Sequence, residues 1–219
     1  MAATLKIDFV SDIACPWCAV GLGALEQALE KLKGEVQAQL HFQPFELNPN
    51  MAPGGQDLSE HLTQKYGSTP EQQAQIRANI SARGEEVGFK FNPGGRGRVY
   101  NTFNAHRLLH WAGVKGPEGS QHALKRALLA SYQGRAEAVE SNDVLLAVVA
   151  SVGLDVAEAQ NILSSDTYSQ EVREIEQFYQ QAGIHSVPAV IINDKHLISG
   201  GQPAAVFEQA LRQIAAGEI

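Results

Sequence analysis

The feature that most constrains this chain is its single pair of cysteines, which stand three residues apart in the sequence Cys15-Pro16-Trp17-Cys18. The 219 residues contain no other cysteine, so the pair cannot belong to a framework of long-range disulfides. With 44% hydrophobic residues, the chain can bury a core without disulfides or metals. We therefore expect the pair to be catalytic or metal-binding, as is usual for such a motif in a reducing compartment.

The segments around the cysteines have the pattern of a strand–helix–strand unit. Apolar and polar residues alternate from Leu5 to Val10 and again from Val36 to Phe45, which predicts two strands. Between them, apolar residues recur at helical spacing from about Pro16 to Lys33, and a proline suits the first helical turn because it has no N–H to leave unpaired. The order β-α-β is that of a parallel crossover unit.

The middle of the chain, from about Asp57 to Gly183, shows only helical periodicity, which predicts an all-helical block. Beyond it, two short β-branched runs flank an Asn193-Asp194 turn and predict a β-hairpin. A last amphipathic helix is predicted from Ala204 to Ala215. The predicted helices of the middle block lie near residues 57–66, 70–87, 101–113, 118–133, 141–152, 155–164 and 167–182.

The position of the two cysteines favours nucleophilic chemistry. The reactive species in disulfide exchange is the thiolate, and a helix start stabilises it through free backbone N–H groups and the positive end of the helix dipole. Cys15 stands at such a start, and Cys18 follows one turn later, close enough to attack a mixed disulfide on Cys15. We assign Cys15 as the nucleophile and Cys18 as the resolving thiol.

A metal site is the rival interpretation of the pair. His106 and His110 have the i, i+4 spacing that, together with the cysteines, would supply four zinc ligands. They lie far down the chain inside a predicted helix, however, unlike the compact spacing of a zinc finger. We therefore expect no metal and interpret both residues as ordinary core or surface histidines. A chance pairing of two core cysteines is the remaining alternative.

A second candidate element of the site is a proline, Pro188, which precedes the third predicted strand, where an X-Pro bond is tolerated and can be cis. Together with the segments Ser11–Cys18, Phe45–Pro49, Asn101–Leu108 and Gly183–Pro188, it makes the chain resemble the DsbA branch of the thioredoxin superfamily, and more closely its FrnE-type members. The resemblance implies an α/β thioredoxin fold in which residues 1–50 and 183–219 form one discontinuous domain and residues 51–182 a large helical insertion domain.

The resemblance also implies an activity and a binding site. The activity is thiol-disulfide exchange with protein or small-molecule thiols and disulfides, without a bound cofactor. A cis Pro188 would face the cysteines, the backbone of Val187 would pair with an extended substrate by strand addition, and the helical insertion would form a lid. The candidate substrate-binding residues are Pro16, Trp17, Val187, Asn101 and His106.

Two departures from better-known relatives bear on the direction of electron flow. Trp17 stands where DsbA oxidants usually carry a histidine between the cysteines, and it supplies no charge to the thiolate. Phe9 stands six residues before the first cysteine, where thioredoxins bury an acid that accepts a proton. We therefore expect a weaker oxidant, in which any proton acceptor is another residue or water.

Glutathione-dependent chemistry is the alternative function. Kappa-class glutathione transferases and 2-hydroxychromene-2-carboxylate isomerases resemble this architecture but use a serine at the first cysteine position to activate glutathione. Glutathione as a co-substrate would bind at the helix start near Pro16 and at the backbone of Val187 and Gly200-Gly201. A binding or chaperone module with unused cysteines is a third possibility that no sequence feature favours.

Charge and hydropathy exclude two classes of partner. The net charge of −7 argues against a nucleic-acid partner, and the segment Gly94–Arg98 lacks P-loop spacing, so we interpret it as a loop with two solvated arginines. The longest mostly apolar stretch, Val144–Leu154, is shorter than the roughly 20 residues that span a bilayer. Since the N-terminus lacks the pattern of a signal peptide, we expect a cytoplasmic protein. We expect a monomer or a homodimer.

Overall fold

The computed structural model describes residues 2–219, and Met1 lies outside the described residues. The predicted α/β class and the order β-α-β, helices, β-β-α are confirmed. Within residues 2–219, no helix has the length and apolar character needed to cross a bilayer. The strands are β1 (Ala3–Ser11), β2 (Val36–Pro44), β3 (Gln56–Asp57), β4 (Arg98–Val99), β5 (Ala189–Ile192) and β6 (His196–Ser199). The helices are α1 (Pro16–Lys31), α2 (Leu58–Tyr66), α3 (Pro70–Glu86), α4 (Phe103–Val114), α5 (Ser120–Leu129), which continues into a π-helical turn (Ala130–Gly134), α6 (Asn142–Ser151), α7 (Val156–Leu163), α8 (Ser169–Gln181) and α9 (Ala204–Ala216).

A four-stranded sheet in the order β2-β1-β5-β6 brings the two ends of the chain together. β1 pairs in parallel with β2, with Ala3 opposite Val36. On its other side β1 pairs antiparallel with β5, and Val10 lies opposite Ala189. In an antiparallel pair, the end of one strand lies beside the start of the other. The loop that follows β1 and the residues that precede β5 therefore lie at the same end of the sheet.

The hairpin between β5 and β6 turns at Asn193-Asp194, as predicted. Both residues have positive φ angles, 51° and 57°, as a type I′ turn requires. The turn is also held by β1, since the backbone N–H of Lys6 donates to Asn193 Oδ1 at 3.0 Å and the Lys6 ammonium donates to Asp194 at 2.5 Å. The register of β5 against β1 is thus fixed from the end opposite to the cysteines.

One hydrophobic core joins the sheet to the helical segment. Helices α4, α5 and α8 contact β2, while α9 packs against α1 and β1. The fully buried side chains of this core come from both parts of the sequence, and include Ile7, Phe9, Leu25, Phe207, Leu108, Leu128, Leu145 and Val149. The helical segment therefore completes the core of the sheet, and the division into domains at residues 51 and 182 stays a prediction.

The prediction of an exclusively helical middle block is wrong at one point. Gln56-Asp57 and Arg98-Val99 form a small antiparallel pair, β3 with β4. Two residues per strand are too few to show the alternation on which sequence analysis depends. The pair is held by Arg98, whose guanidinium donates to the carbonyl oxygens of Gly54 and Gly55, each at 2.9 Å.

The shared core predicts that the sheet and the helical segment unfold together. Leu25 lies in α1 and Leu128 in α5, and both are 0% exposed in the same cluster. Replacing either leucine by alanine should lower the free energy of unfolding by about 2–5 kcal/mol, because each substitution leaves a cavity. Urea denaturation followed by circular dichroism should show one transition, moved to lower urea in both variants.

The matched control is Leu197→Ala, because that leucine is 52% exposed and its loss should change stability little. If Leu128→Ala instead produced an early separate transition and left the sheet intact, the helical segment would be an independent folding unit.

Candidate active site

Cys15 lies at the N-cap of α1, directly after the end of β1. Its backbone is extended, with φ −91° and ψ 114°, and Pro16 occupies the first helical turn. The Cys15 N–H donates to the carbonyl of Asp12 at 3.1 Å, and the Cys18 N–H donates to the carbonyl of Cys15 at 3.1 Å. Cys15 keeps 5% of its surface exposed, whereas Cys18 is fully buried. The two thiols are free in this structure.

The two cysteines differ in acidity. A hydrogen bond from the Cys18 thiol lowers the pKa of Cys15, and the backbone N–H groups of Cys18 and Trp17 lower it further, whereas burial and the negative charge of Asp12 oppose the shift. Burial raises the pKa of Cys18 well above its ordinary value, and the hydrogen bond to Cys15 raises it again. Cys15 is therefore the residue that carries the thiolate, and Cys18 holds its proton.

The Val187–Pro188 peptide bond is cis and lies against Cys15. The Cys15 thiol donates to the Val187 carbonyl at 3.4 Å, although the two residues are separated by 172 positions in sequence. Helix α1 approaches Pro188 closely at Gly21, where an added Cβ would lie 3.0 Å from Pro188 Cγ. The predicted catalytic residues Cys15, Cys18 and Pro188 thus lie together at one end of the sheet.

A buried carboxylate holds the loop that carries Cys15. Asp12 Oδ1 accepts a hydrogen bond from the N–H of Ala14 at 3.0 Å, and Oδ2 accepts one from the N–H of Leu47 at 2.8 Å. His106 Nε2 lies 3.5 Å from Asp12 Oδ1. Burial alone would raise the pKa of Asp12, but His106 and the two backbone N–H groups outweigh it and lower the pKa.

Two side chains from the helical segment hold the same loop by its carbonyl groups. Gln133 donates to the Ile13 carbonyl at 2.6 Å, and the Arg96 guanidinium donates to the Ala14 carbonyl. Arg96 also lies 4.9 Å from the ring centroid of Tyr132. The interpretation of Arg96 as a solvated loop residue is therefore wrong, because its charge is directed at the cysteine loop. No local sequence pattern signals this contact, which joins residues 82 positions apart.

A groove of about 590 Å³ opens beside Cys15. Pro16, Trp17 and Val187 line it, as do the exposed apolar side chains of Tyr66 and Ile76. In the described part of the chain, no Asp or Glu lines this groove. Its basic side chains are His61, Lys65, Arg77, Arg96 and His185. The groove therefore has a positive lining in a chain of net charge −7.

His106 and Asn101, by contrast, do not line the groove. The His106 side chain is 1% exposed and lies beneath the cysteine loop, against Asp12. Asn101 Oδ1 accepts a hydrogen bond from the N–H of Phe103 at 2.9 Å, at the start of α4. His106 therefore lies against the cysteine loop from outside the groove, whereas Asn101 holds the backbone at the start of α4.

The geometry does not assemble the ligands of the rival metal site. Among residues 2–219, no group of three or more His, Cys, Asp or Glu side chains could hold a metal ion. His106 lies against Asp12, and the ring of His110 packs against that of Tyr168 with centroids 5.2 Å apart.

Comparison with known proteins identifies the family. A family model described as the DSBA-like thioredoxin domain matches residues 6–212, so the chain belongs to this family. A probable DsbA oxidoreductase from Streptomyces coelicolor is 32% identical, with a TM-score of 0.87 over 98% of this chain and 91% of the other. The resemblance to the DsbA branch is thereby confirmed, and the finer assignment to FrnE-type members stays a prediction.

Two other solved structures share the fold at low identity. One is the cytosolic disulfide reductase DsbM from Pseudomonas aeruginosa with glutathione, which is 15% identical and has a TM-score of 0.62 over 97% of this chain and 98% of the other. The other is a 2-hydroxychromene-2-carboxylate isomerase, 14% identical, with a TM-score of 0.70 over 97% of each chain. At these identities the likeness extends to the fold alone.

The hydrogen bond between the thiols predicts how the acidity of Cys15 responds to substitution. The pKa of Cys15 should lie below the roughly 8.5 of a free thiol, and Cys18→Ala should raise it because the variant loses the donor that lowers it most. Cys18→Ser, which keeps a hydroxyl donor, should raise it less. The absorbance of the thiolate as a function of pH measures each value.

Cys15→Ser is the control for that titration, since it should remove the low-pH transition altogether. Equal pKa values for Cys15 in the native protein and in Cys18→Ala would show that the bond between the thiols has no part in activation.

Proposed function

We propose that this member of the DSBA-like thioredoxin domain family is a thiol-disulfide oxidoreductase that uses Cys15 as the nucleophile and Cys18 as the resolving thiol. The observation that carries the proposal is the asymmetry of the pair. Cys15, with its lowered pKa, lies at a helix start beside an open groove, whereas Cys18 is fully buried and hydrogen-bonded to it. This arrangement suits attack by one thiol and resolution by the other.

The reaction consists of two exchanges at sulfur. The Cys15 thiolate attacks a substrate disulfide, so that a bond forms between Cys15 and one substrate sulfur while the other leaves as a thiolate. Cys18 then loses its proton and attacks Cys15 Sγ, which forms the Cys15–Cys18 disulfide and releases the second substrate thiolate. The substrate gains two electrons from the pair, which external thiols restore. In reverse, the same steps oxidise a dithiol.

Substrates bind in the groove beside Cys15. Its volume of about 590 Å³ is within the usual range of small-molecule sites, and an extended peptide would also fit beside Val187. Trp17 and Tyr66 supply apolar contact, while Lys65 and Arg77 supply positive charge. We propose protein or small-molecule disulfides that carry a carboxylate near the sulfur as the preferred substrates.

Glutathione-dependent transfer or isomerisation is the second candidate function. The positive groove is suited to the two carboxylates of glutathione, and the 2-hydroxychromene-2-carboxylate isomerase has the same fold. The cytosolic disulfide reductase DsbM, which shares the fold, has been solved with glutathione. The two free thiols favour the disulfide exchange, and a reducing cytoplasm would keep both available for it.

Trapping distinguishes the two candidates. A Cys18→Ser variant should accumulate mixed disulfides on Cys15, because the attack that releases the substrate is lost. Non-reducing electrophoresis and mass spectrometry would identify the trapped molecules. The Cys15→Ser variant is the control and should trap nothing. Recovery of glutathione alone would favour the second candidate, and a pair that never cycles between dithiol and disulfide in glutathione redox buffers would contradict the first.

The lining of the groove predicts a preference for anionic disulfides. Arg77→Glu should lower kcat/KM for the dianionic chromogenic disulfide dithionitrobenzoate by about ten-fold, because the variant reverses a charge beside the route to Cys15. The same variant should raise the rate with cystamine, a dicationic disulfide. Stopped-flow absorbance and a coupled thiol assay measure the two rates.

Lys33→Glu is the matched control, since it makes the same charge reversal at a residue just beyond the end of α1 opposite to Cys15, and it should change neither rate. If Arg77→Glu lowered the rates with both disulfides to a similar extent, the residue would act through its shape and not through its charge.

A further inference from the structure

Lys125 is a fully buried lysine in α5, with 0% of its surface exposed. Among residues 2–219, its Nζ atom has no hydrogen-bond partner. Burial lowers the pKa of Lys125, and the groups that oppose this shift by their charge are Cys18, Asp12 and Cys15. The ring of Phe42 lies on another side, with its centroid 6.0 Å from Nζ. The amine is therefore enclosed near the cysteine pair and unpaired.

A structural role does not explain this amine. Lysine is almost never fully buried unless it is paired, because an unpaired polar group in the core is destabilising. Asp12 would be the natural partner, but its oxygens already accept from Ala14 and Leu47 and lie against His106. An unbranched apolar side chain would fill the same space without desolvating an amine.

The proposed reaction, by contrast, needs a proton acceptor close to Cys18. Cys18 must lose its proton before it attacks Cys15, yet it is fully buried and has no contact with bulk water. Phe9 stands where an acid would lie in thioredoxins, so that residue offers no acceptor. The charge of Asp12 acts on Cys15 and Lys125, but the lowered pKa of Asp12 makes its carboxylate a weaker proton acceptor than an amine.

We propose that Lys125 accepts the proton of Cys18 when Cys18 resolves the mixed disulfide, an inference that rests on the proposed function. The neutral amine takes the proton and becomes an ammonium, and the Cys18 thiolate attacks Cys15 Sγ. The bond between Cys15 and the substrate breaks, and the departing substrate thiolate takes a proton from solvent. Lys125 returns its proton to Cys18 when external thiols reduce the pair again.

Several features of the site suit this transfer. Because Nζ has no hydrogen-bond partner, the transfer breaks no existing hydrogen bond of the amine. In the proposal, a rotation of the lysine side chain or a bridging water connects the amine to Cys18. The transfer converts two neutral groups into an ion pair within a site of low dielectric, where opposite charges attract strongly. The ion pair of the Lys125 ammonium and the Cys18 thiolate is thus present only while the reaction needs the thiolate.

The test separates the two chemical steps with dithionitrobenzoate in stopped-flow. Attack by Cys15 releases one equivalent of chromophore, and resolution by Cys18 releases the second. Lys125→Met should leave the first phase unchanged and slow the second by roughly 100-fold at neutral pH, the usual contribution of a general base. In this variant, the logarithm of the rate constant of the second phase should rise linearly with pH, because hydroxide must then remove the proton of Cys18.

Two further variants separate proton transfer from charge and shape. Lys125→Arg keeps a positive charge that cannot be given up, so its second phase should also be slow. In Lys125→Ala, added methylamine should restore the second phase more than sodium chloride of equal ionic strength does. The exposed Lys115→Met is the matched control and should behave like the native protein in both phases.

Stability provides an independent measurement. Lys125→Met should be at least as resistant to urea as the native protein, because it removes an unpaired buried amine. An unchanged second phase, an equal slowing of both phases, or loss of the folded state in all three variants would overturn the proposal. Failure of the proposed function would differ from each of these, since the first phase would then be absent from the native protein as well.

Discussion

The antiparallel pairing of β1 with β5 is the contact on which the rest of the site depends. It joins residues near the two ends of the chain, with Val10 opposite Ala189. The pairing brings the loop after β1 and the cis Val187–Pro188 bond to one end of the sheet, where the Cys15 thiol lies 3.4 Å from the Val187 carbonyl. Only this pairing brings the helix start with its two cysteines beside the groove wall at Val187.

The helical segment contributes the groups that hold the cysteine loop from below. Gln133, Arg96 and His106 all come from it, and each contacts the loop between Asp12 and Ala14. Such buried polar contacts cost desolvation, and they stabilise the fold only when most of their bonding capacity is satisfied. Their convergence on one loop indicates that the segment does more than cover the groove. It also holds the loop that leads directly into Cys15.

The sequence predicts this fold well where local patterns decide it. Alternation located β1 and β2, helical spacing located the helices to within a few residues, and Asn193-Asp194 marked the hairpin. The β3–β4 pair is not predicted, because strands of two residues show no periodicity. The same holds for the candidate site, where the sequence predicts the cysteine motif because that motif is local. Arg96 contacts the loop, and Lys125 lies near the cysteine pair, only through tertiary packing that no sequence spacing reveals. The sequence singles out His106, but the structure places it behind the loop.

The balance of charge around Cys15 bears on the direction of electron flow. A dithiol is favoured over a disulfide to the extent that its thiolate is stabilised. Here the Cys18 thiol and backbone N–H groups stabilise the Cys15 thiolate, but burial and Asp12 oppose them, and Trp17 adds no charge. In the proposed transfer, Lys125 is neutral at rest and becomes charged only as Cys18 loses its proton, so it does not alter that balance. An acceptor of this kind speeds resolution and its reverse equally. The direction is then left to the potentials of the partner thiols, which suits a moderate oxidant better than a strong one.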